Sequence, residues 1–332
     1  MSARRKLSQG GSSGSKTNNT SQRPQMNFAR PQETNRNDAK GTKPTAQPAS
    51  IREVMTLMVL HACKKTIFFD VRLKVALYLA ALFLVSLIGG NSWQQQQTES
   101  FYCLIIIFFI QDFAPFPKSY FSRSDNLFNL YFVKLGWLWT TLFSVPFLYL
   151  TNLTLCCGNM RKFLKHHLPR IAIATVFWFT WTKLFNVIET GFGKCNMKGY
   201  ETKRGCLKAG HFWNGFDISG HAFILIYSSL VLIEEARPIV GWDNIKEHLR
   251  LEEYRRKTQD ASPSSNPLRN LNNEEISSLK YLYQKYTPTI KLLFVGMTVL
   301  QLLWDIMLVC TMLYFHRMVE KVISGIIAIL TW

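Results

Sequence analysis

Acidic residues are scarce in this sequence. It holds 21 Asp and Glu residues against 39 Lys and Arg residues, which leaves a formal net charge of +18 over 332 residues. An excess of this kind can indicate a nucleic-acid partner. The cations are grouped, however, in the first 70 residues, in Arg161–Arg170 and in the stretch from Arg237 to Lys285. This grouping argues against nucleic acid and for a membrane surface.

A secretory signal is also missing, because the first 50 residues contain no apolar run. They are rich in Ser, Asn, Gln, Gly and Pro, and this composition predicts a disordered tail over residues 1–50. Residues 51–70 follow as a juxtamembrane segment. Its sequence "IREVMTLMVLHACKKTIFF" predicts a basic helix that is attracted to anionic lipid.

Charged residues are few in six later segments, which are mostly apolar. Each approaches the length of about 17–25 apolar residues that a helix needs to cross a bilayer. The segments are Val71–Gly90, Leu130–Leu150, Ile171–Ile188, Ile218–Ile233, Ile290–Cys310 and Val319–Trp332. Only helices and closed barrels satisfy their backbone in lipid, so we predict an all-α fold, a polytopic six-transmembrane-helix bundle. The apolar part of Asn91–Gln111 is too short to cross, and we interpret it as re-entrant or as lying on the lumenal surface.

The grouped cations predict the orientation. With six spans, the three basic groups lie on one side, which the positive-inside rule identifies as the cytosol. Both termini and the loop Arg237–Pro288 are then cytosolic. The exception is Lys194–Lys208, which carries five basic residues on the lumenal side.

Cysteines are few, at seven, and five of them lie in or next to apolar segments. Cys195 and Cys206 share the predicted lumenal loop, where an oxidising compartment would favour a disulfide. The alternative is a zinc site that adds His211, although the spacing is poor for zinc. We otherwise expect no metal and no cofactor.

The fourth span opens with an acid, a hydroxyl, a glycine and an imidazole, since Asp217, Ser219, Gly220 and His221 precede an almost wholly apolar run. His316 lies in the turn between spans five and six. Two spans separate the histidines, so both lie on the same face of the membrane and are able to meet. Glu189, at the end of span three, lies at the same level.

Two facing histidines suit phosphoryl transfer. One imidazole attacks phosphorus and forms a phosphohistidine, and the other protonates the leaving oxygen. Asp217 and His221 are four residues apart and would share a helical face. Gly220 would let the backbone approach a phosphate, to which the Ser219 hydroxyl and the helix N-terminus would bind. On spacing alone, a structural role for both histidines stays open.

Three stretches carry a resemblance to a known family. They are "FWNGFDISGHAF" (Phe212–Phe223), "SYFSRSDNLFNLYFVKLGWLWT" (Ser119–Thr140) and "YFHRMVEKVISG" (Tyr314–Gly325). They resemble the fat-storage-inducing transmembrane (FIT) protein family, over a region from about Val71 to the end without Asn91–Gln111.

The resemblance implies a six-span bundle in the endoplasmic reticulum membrane with a lumenal site. It implies cleavage of the diphosphate of fatty acyl-CoA to acyl 4′-phosphopantetheine and adenosine 3′,5′-bisphosphate, a role in lipid-droplet formation, and binding of neutral lipids. By likeness to the related lipid phosphatases, His221 would be the acid and His316 the nucleophile. Those enzymes have an Arg before the second histidine. Here Arg317 follows it instead, so Lys134, and after it Arg123, are our candidates for the phosphate clamp.

Two alternatives belong to other classes. The first is a membrane protein that binds triacylglycerol or diacylglycerol without catalysis and partitions it into droplets. The second is a transporter or channel, which would show broken helices in matching halves. The sequence has no such halves.

Overall fold

The computed structural model describes residues 50–89, 120–158, 165–258 and 266–332, except 124, 166, 198, 200 and 317. The predicted tail up to residue 49 and the segment Asn91–Gln111 lie outside these residues. Helices dominate the described chain. The long ones are α1 (Ile51–Ile67), α2 (Val71–Gly89), α3 (Gly136–Leu155), α4 (Leu168–Phe192), α6 (Gly220–Ala236), α7 (Asn244–Thr258), α8 (Asn273–Tyr314) and α9 (Met318–Thr331).

A small extramembrane loop connects α4 to α6. We call residues 193–219 the disulfide loop, because Cys195 and Cys206 are bonded within it. It contains strand β1 (Lys194–Cys195), helix α5 (Lys203–Lys208) and strand β2 (Trp213–Asn214). The two strands pair antiparallel, with Lys194 opposite Asn214. The loop is thus tied to itself by a covalent bond and a strand pair.

Helices α6 and α8 form the centre of the bundle. α6 has 13 buried residues among its 17, as expected of a helix that is apolar on all sides and enclosed by others. α8 packs against α1, α2, α3 and α6, and α9 packs against α2 and α6. α4 lies at the outside, with Phe185 edge-on to Phe223 at 5.4 Å between ring centroids.

Three of the described helices are long and apolar enough to cross a membrane, namely α3, α4 and α8. The chain is therefore a helical, multi-pass membrane protein. Helices also lie over the predicted first, fourth and sixth spans, where α2, α6 and α9 have 19, 17 and 14 residues. The count of six spans stays a prediction.

The predicted cytosolic loop Arg237–Pro288 is largely helical in the described residues. Asn272 caps α8 in a capping box with Glu275, which satisfies free N–H groups at the helix start. α8 therefore begins 17 residues before the predicted fifth span at Ile290. Asp243 joins α8 to α1, through Lys291 at 3.0 Å and Lys64 at 2.9 Å.

Asp305, in the last quarter of α8, has partners that the sequence could not indicate. Tyr78 of α2 donates a hydrogen bond to its carboxylate at 2.5 Å, and Lys74 of α2 lies at 3.3 Å. The amide of Gln301 donates to the same carboxylate at 3.1 Å. This polar cluster joins α2 to α8.

Candidate active site

The two histidines lie side by side. His221 is the second residue of α6, and His316 lies in the turn between α8 and α9. Their ring centroids are 6.3 Å apart, with the planes at 66°. His316 has a φ of 55°, a left-handed conformation that costs a non-glycine residue about 1 kcal/mol. The turn at His316 is thus held in place by its surroundings.

Two carboxylates face one nitrogen of His316. Its Nδ1 lies 3.5 Å from Asp217 Oδ2 and 3.7 Å from Glu320 Oε2. Glu320 is buried, whereas the Asp217 side chain is 52% exposed. A carboxylate beside Nδ1 favours the tautomer that carries its proton there. This arrangement leaves Nε2 with a lone pair for attack.

The prediction that Asp217 and His221 share a helical face is wrong. Ser219 is the N-cap of α6, and its Oγ accepts a hydrogen bond from the Ala222 N–H at 3.2 Å. Helical spacing therefore starts only at Gly220, and Asp217 lies in the extended segment before it. Asp217 contacts the other histidine, His316.

The environment of Asp217 changes its acidity. Partial burial raises the pKa of the Asp217 carboxyl, His316 acts against this rise, and the neighbouring carboxylates Glu189 and Glu320 add to it. Two of these acidic groups, Asp217 and Glu320, lie directly beside His316. A cation or a proton at His316 relieves their mutual repulsion.

Ser219 and Gly220 differ in what surrounds them. The Ser219 side chain is fully buried and serves as the helix cap, so in this structure it does not face open space. A Cβ on Gly220 would meet no atom within 4 Å. The open side of Gly220 leaves room for a ligand against the start of α6.

Glu189 and the candidate clamp residues stand further out. Glu189 forms an ion pair with Lys203 of the disulfide loop, and its carbonyl accepts from the Trp213 indole at 3.2 Å. Lys134 is exposed and lies near enough to His221 for their charges to interact. Arg123 pairs instead with Asp125, at 3.1 Å. Arg317 lies outside the described residues.

In the disulfide loop, the two cysteines form a disulfide and not a zinc site. Cys195 and Cys206 are bonded to each other, which leaves neither of them as a thiolate for zinc. Among the described residues, no group of three or more His, Cys, Asp or Glu side chains is placed so that it could hold a metal ion. His211 accordingly has no zinc site to join there.

Three residues of α9 were missed by the sequence reasoning. The buried Lys321 ammonium donates to the Met312 carbonyl at 2.7 Å, near the end of α8. Ser324 Oγ donates to the Ser219 carbonyl at 2.6 Å, and the third residue is Glu320. The first turns of α9 thus hold both histidine-bearing segments. A signal existed, since Glu320 and Lys321 are charges at the start of an apolar segment, the first of them four residues after His316.

Comparison with known proteins identifies the family of the chain. The family "Fat storage-inducing transmembrane protein" (FIT) matches residues 117–332. Acyl-coenzyme A diphosphatase FITM2 of Drosophila melanogaster is 59% identical over 97% of this chain and 70% of its own length. The proteins of that name from Danio rerio and Homo sapiens are 32% and 28% identical, over 72% and 67% of this chain and 84% and 74% of theirs. No solved structure matches. The chain therefore belongs to the fat-storage-inducing transmembrane protein family.

Proposed function

We propose that this protein hydrolyses the diphosphate of fatty acyl-CoA, giving acyl 4′-phosphopantetheine and adenosine 3′,5′-bisphosphate. The observation that carries the proposal is the pair His221 and His316, 6.3 Å apart, with carboxylates at Nδ1 of His316. The relatives quoted above are named acyl-coenzyme A diphosphatases, which supports the same substrate. The reaction would support lipid-droplet formation and lipid balance in the endoplasmic reticulum.

In the proposed first step, Nε2 of His316 attacks one phosphorus of the diphosphate. The bond from that phosphorus to the bridging oxygen breaks, and the oxygen takes a proton from His221. Asp217 and Glu320 hold the proton on Nδ1 of His316 and offset the positive charge that develops on its ring. The bound diphosphate itself favours the protonated form of His221, because opposite charges attract.

In the second step, water attacks the phosphohistidine. Neutral His221 accepts the proton of this water, the bond from phosphorus to nitrogen breaks, and both histidines return to their starting states. One water molecule is consumed overall. The open side of Gly220 and the N–H groups at the start of α6 receive the phosphoryl oxygens, and Lys134 supplies a nearby positive charge.

The substrate determines the proposed placement in the membrane. The acyl chain partitions into lipid, whereas the nucleotide half stays in water, so a site at one membrane surface is required. We place six spans in the endoplasmic reticulum membrane, with both termini cytosolic and the histidine pair lumenal. The basic groups on the opposite side and the disulfide in the loop beside the site support this orientation.

The experiment uses detergent-purified protein with oleoyl-CoA and no added metal, with products followed by mass spectrometry. The wild type is expected to form acyl phosphopantetheine. His316→Ala should abolish it, and His221→Ala should lower kcat by about 10²–10⁴-fold. His61→Ala, on the exposed face of α1, is the matched control and should stay fully active.

Two outcomes would overturn this proposal. A folded wild type that cleaves no acyl-CoA of any chain length would favour the lipid-binding alternative. Equal cleavage by wild type and His316→Ala would mean that another group is the nucleophile.

A further inference from the structure

The disulfide loop has an unusual charge for its proposed side of the membrane. Five Lys and Arg residues and one acidic residue, Glu201, lie between residues 194 and 208. Basic loops are normally retained on the cytosolic side, so this excess needs a reason of its own. In the described part of the chain, Lys194 and Arg204 are exposed and form no ion pair.

The same loop contains a cavity. It has a volume of about 610 Å³ and opens to solvent between the start of β1 and the segment before α5. Lys194, Cys195, Thr202 and Trp213 are among its lining residues. The disulfide at Cys195 and the pairing of β1 with β2 hold its walls together. This open cavity can admit a polar ligand without rearrangement of the helix bundle.

The cavity is connected to the histidine pair. Its wall residue Trp213 donates its indole N–H to the carbonyl of Glu189, and the charges of Glu189 and Asp217 interact. Trp213 is also four residues from Asp217, a distance of at most about 14 Å along an extended chain. Asp217 in turn contacts His316.

We propose that this cavity binds the nucleotide half of the substrate, an adenosine that carries a 3′-phosphate, while its diphosphate lies at the histidines. The inference rests on the proposed function and extends it to a second binding site. Adenosine is attached directly to the scissile diphosphate, so its site must lie within reach of the histidine pair. The cavity meets this requirement through Trp213, four residues before Asp217. The acyl half of the bound substrate extends in the opposite direction, into lipid.

Each part of the cavity matches a part of this ligand. The Lys194 ammonium can pair with the 3′-phosphate. The Trp213 ring, fixed by its hydrogen bond to Glu189, offers a face on which adenine can stack. The Glu201 carboxylate also lines the cavity. It would repel a phosphate but can accept hydrogen bonds from the ribose hydroxyl or the adenine amino group.

The test compares oleoyl-CoA with oleoyl-3′-dephospho-CoA in the full-length protein. Lys194→Gln should raise KM for oleoyl-CoA about 10-fold, as expected for one lost charge-assisted hydrogen bond, with kcat unchanged. It should leave KM for the dephospho substrate within about 2-fold, because that substrate lacks the partner of Lys194. Lys194→Arg should restore most of the affinity.

Lys208→Gln is the matched control, since it removes one charge from the same loop outside the cavity lining. An equal rise in KM from Lys208→Gln would show that only the general field of the loop matters. An equal rise for both substrates in Lys194→Gln would place the 3′-phosphate elsewhere. Either result would overturn the proposal while the hydrolase stands.

A binding measurement tests the nucleotide site independently of catalysis. Adenosine 3′,5′-bisphosphate and adenosine 5′-monophosphate are titrated into the wild type and Lys194→Gln by calorimetry. Tighter binding of the bisphosphate to the wild type alone is expected. If the wild type bound both nucleotides equally, the nucleotide site would be wrong, and this holds even if no acyl-CoA were cleaved.

Discussion

At the scale of single residues, the position of Asp217 decides how His316 works. The carboxylate is outside α6 and beside Nδ1 of the histidine, at 3.5 Å. Its role in our mechanism is to orient and not to react. Partners that orient a metal-bound imidazole in this way commonly contribute about 10–100-fold to activity, and we expect a comparable contribution here.

Asp217→Asn should therefore lower kcat by about 10–100-fold and also change the pH profile. Because burial first, and then its acidic neighbours, raises the pKa of Asp217, the carboxylate is lost on acidification above the pH at which an ordinary Asp is protonated. The wild-type rate should fall as the pH falls through that raised pKa. In Asp217→Asn this part of the acid limb should disappear.

The check is a profile of kcat/KM against pH in both proteins. Asp125→Asn is the control, because Asp125 is exposed and paired with Arg123. An unchanged acid limb in Asp217→Asn would assign that limb to another group, with Glu320 next to be tested.

At the scale of elements, α9 fixes the geometry of the site. Its Lys321 binds the end of α8, and its Ser324 binds the residue that caps α6. α9 is therefore a brace between the two histidine-bearing segments. His316 is left-handed and its turn has no glycine to relieve the strain, so we attribute this conformation to the contacts of α9.

Lys321→Met should lower kcat with little change in KM, because the turn at His316 loses its anchor while the rest of the site is intact. Its effect on stability should be small, since the substitution removes a buried charge along with its hydrogen bond. Lys321→Arg keeps a donor and should recover part of kcat. Kinetics and thermal unfolding are measured for both, with Lys280→Met as the exposed control. A parallel loss of kcat and stability would make Lys321 a purely structural residue.

The cluster around Asp305 predicts a coupled pair of substitutions. Asp305→Leu leaves Lys74 as a buried cation without its counter-charge. Lys74→Met leaves the Asp305 carboxylate without its counter-charge, although Tyr78 and Gln301 still donate hydrogen bonds to it. Each single variant should unfold at a lower temperature than the double variant, because an unpaired charge in an apolar surrounding costs more than the loss of the pair. Thermal unfolding of the four proteins in one detergent gives the comparison. Additive losses would show that the two charges are independent.

At the scale of the whole molecule, the length of α8 shows that the bundle continues beyond the bilayer. Its 42 residues extend about 63 Å at 1.5 Å per residue, about twice the hydrocarbon thickness of about 30 Å. The part of α8 that exceeds this thickness lies beside α1 and α7. There, the indole of Trp242, just before α7, donates a hydrogen bond to Thr287 at 3.1 Å. The bundle thus has a packed extramembrane base at the end opposite the histidines.

The proposed orientation can be tested by glycosylation. An Asn-Gly-Thr acceptor inserted after Ala209, in the exposed part of the disulfide loop, should be glycosylated in microsomes. The native Asn152-Leu153-Thr154, at the other end of α3, should stay unmodified. Modification is measured as a mobility shift that glycosidase reverses. The opposite pattern would place the histidine pair on the cytosolic side.

Sequence patterns predicted the helices and the pair of histidines because both depend on local runs and on the parity of spans. They could not predict what depends on distant residues or on helix boundaries. Asp305 pairs with Lys74, which is 231 residues away in the sequence. The first part of α8, "NEEISSLKYLYQ", is polar, and its sequence therefore predicts part of a loop and not the start of a long helix. A single buried serine cap displaced Asp217 from the predicted helical face.

The continuity of α8 has a mechanical consequence. The helix passes unbroken through Pro288, from the extramembrane base to the residue two positions before His316. From Pro288 to the end of α8 is about 39 Å, so a rotation of about 3° at the base would displace that end by about 2 Å. Displacements of about 1 Å in a reacting geometry can cost about 10²-fold in rate. A small tilt at the far end of the long helix would thus be enough to disturb the geometry at His316.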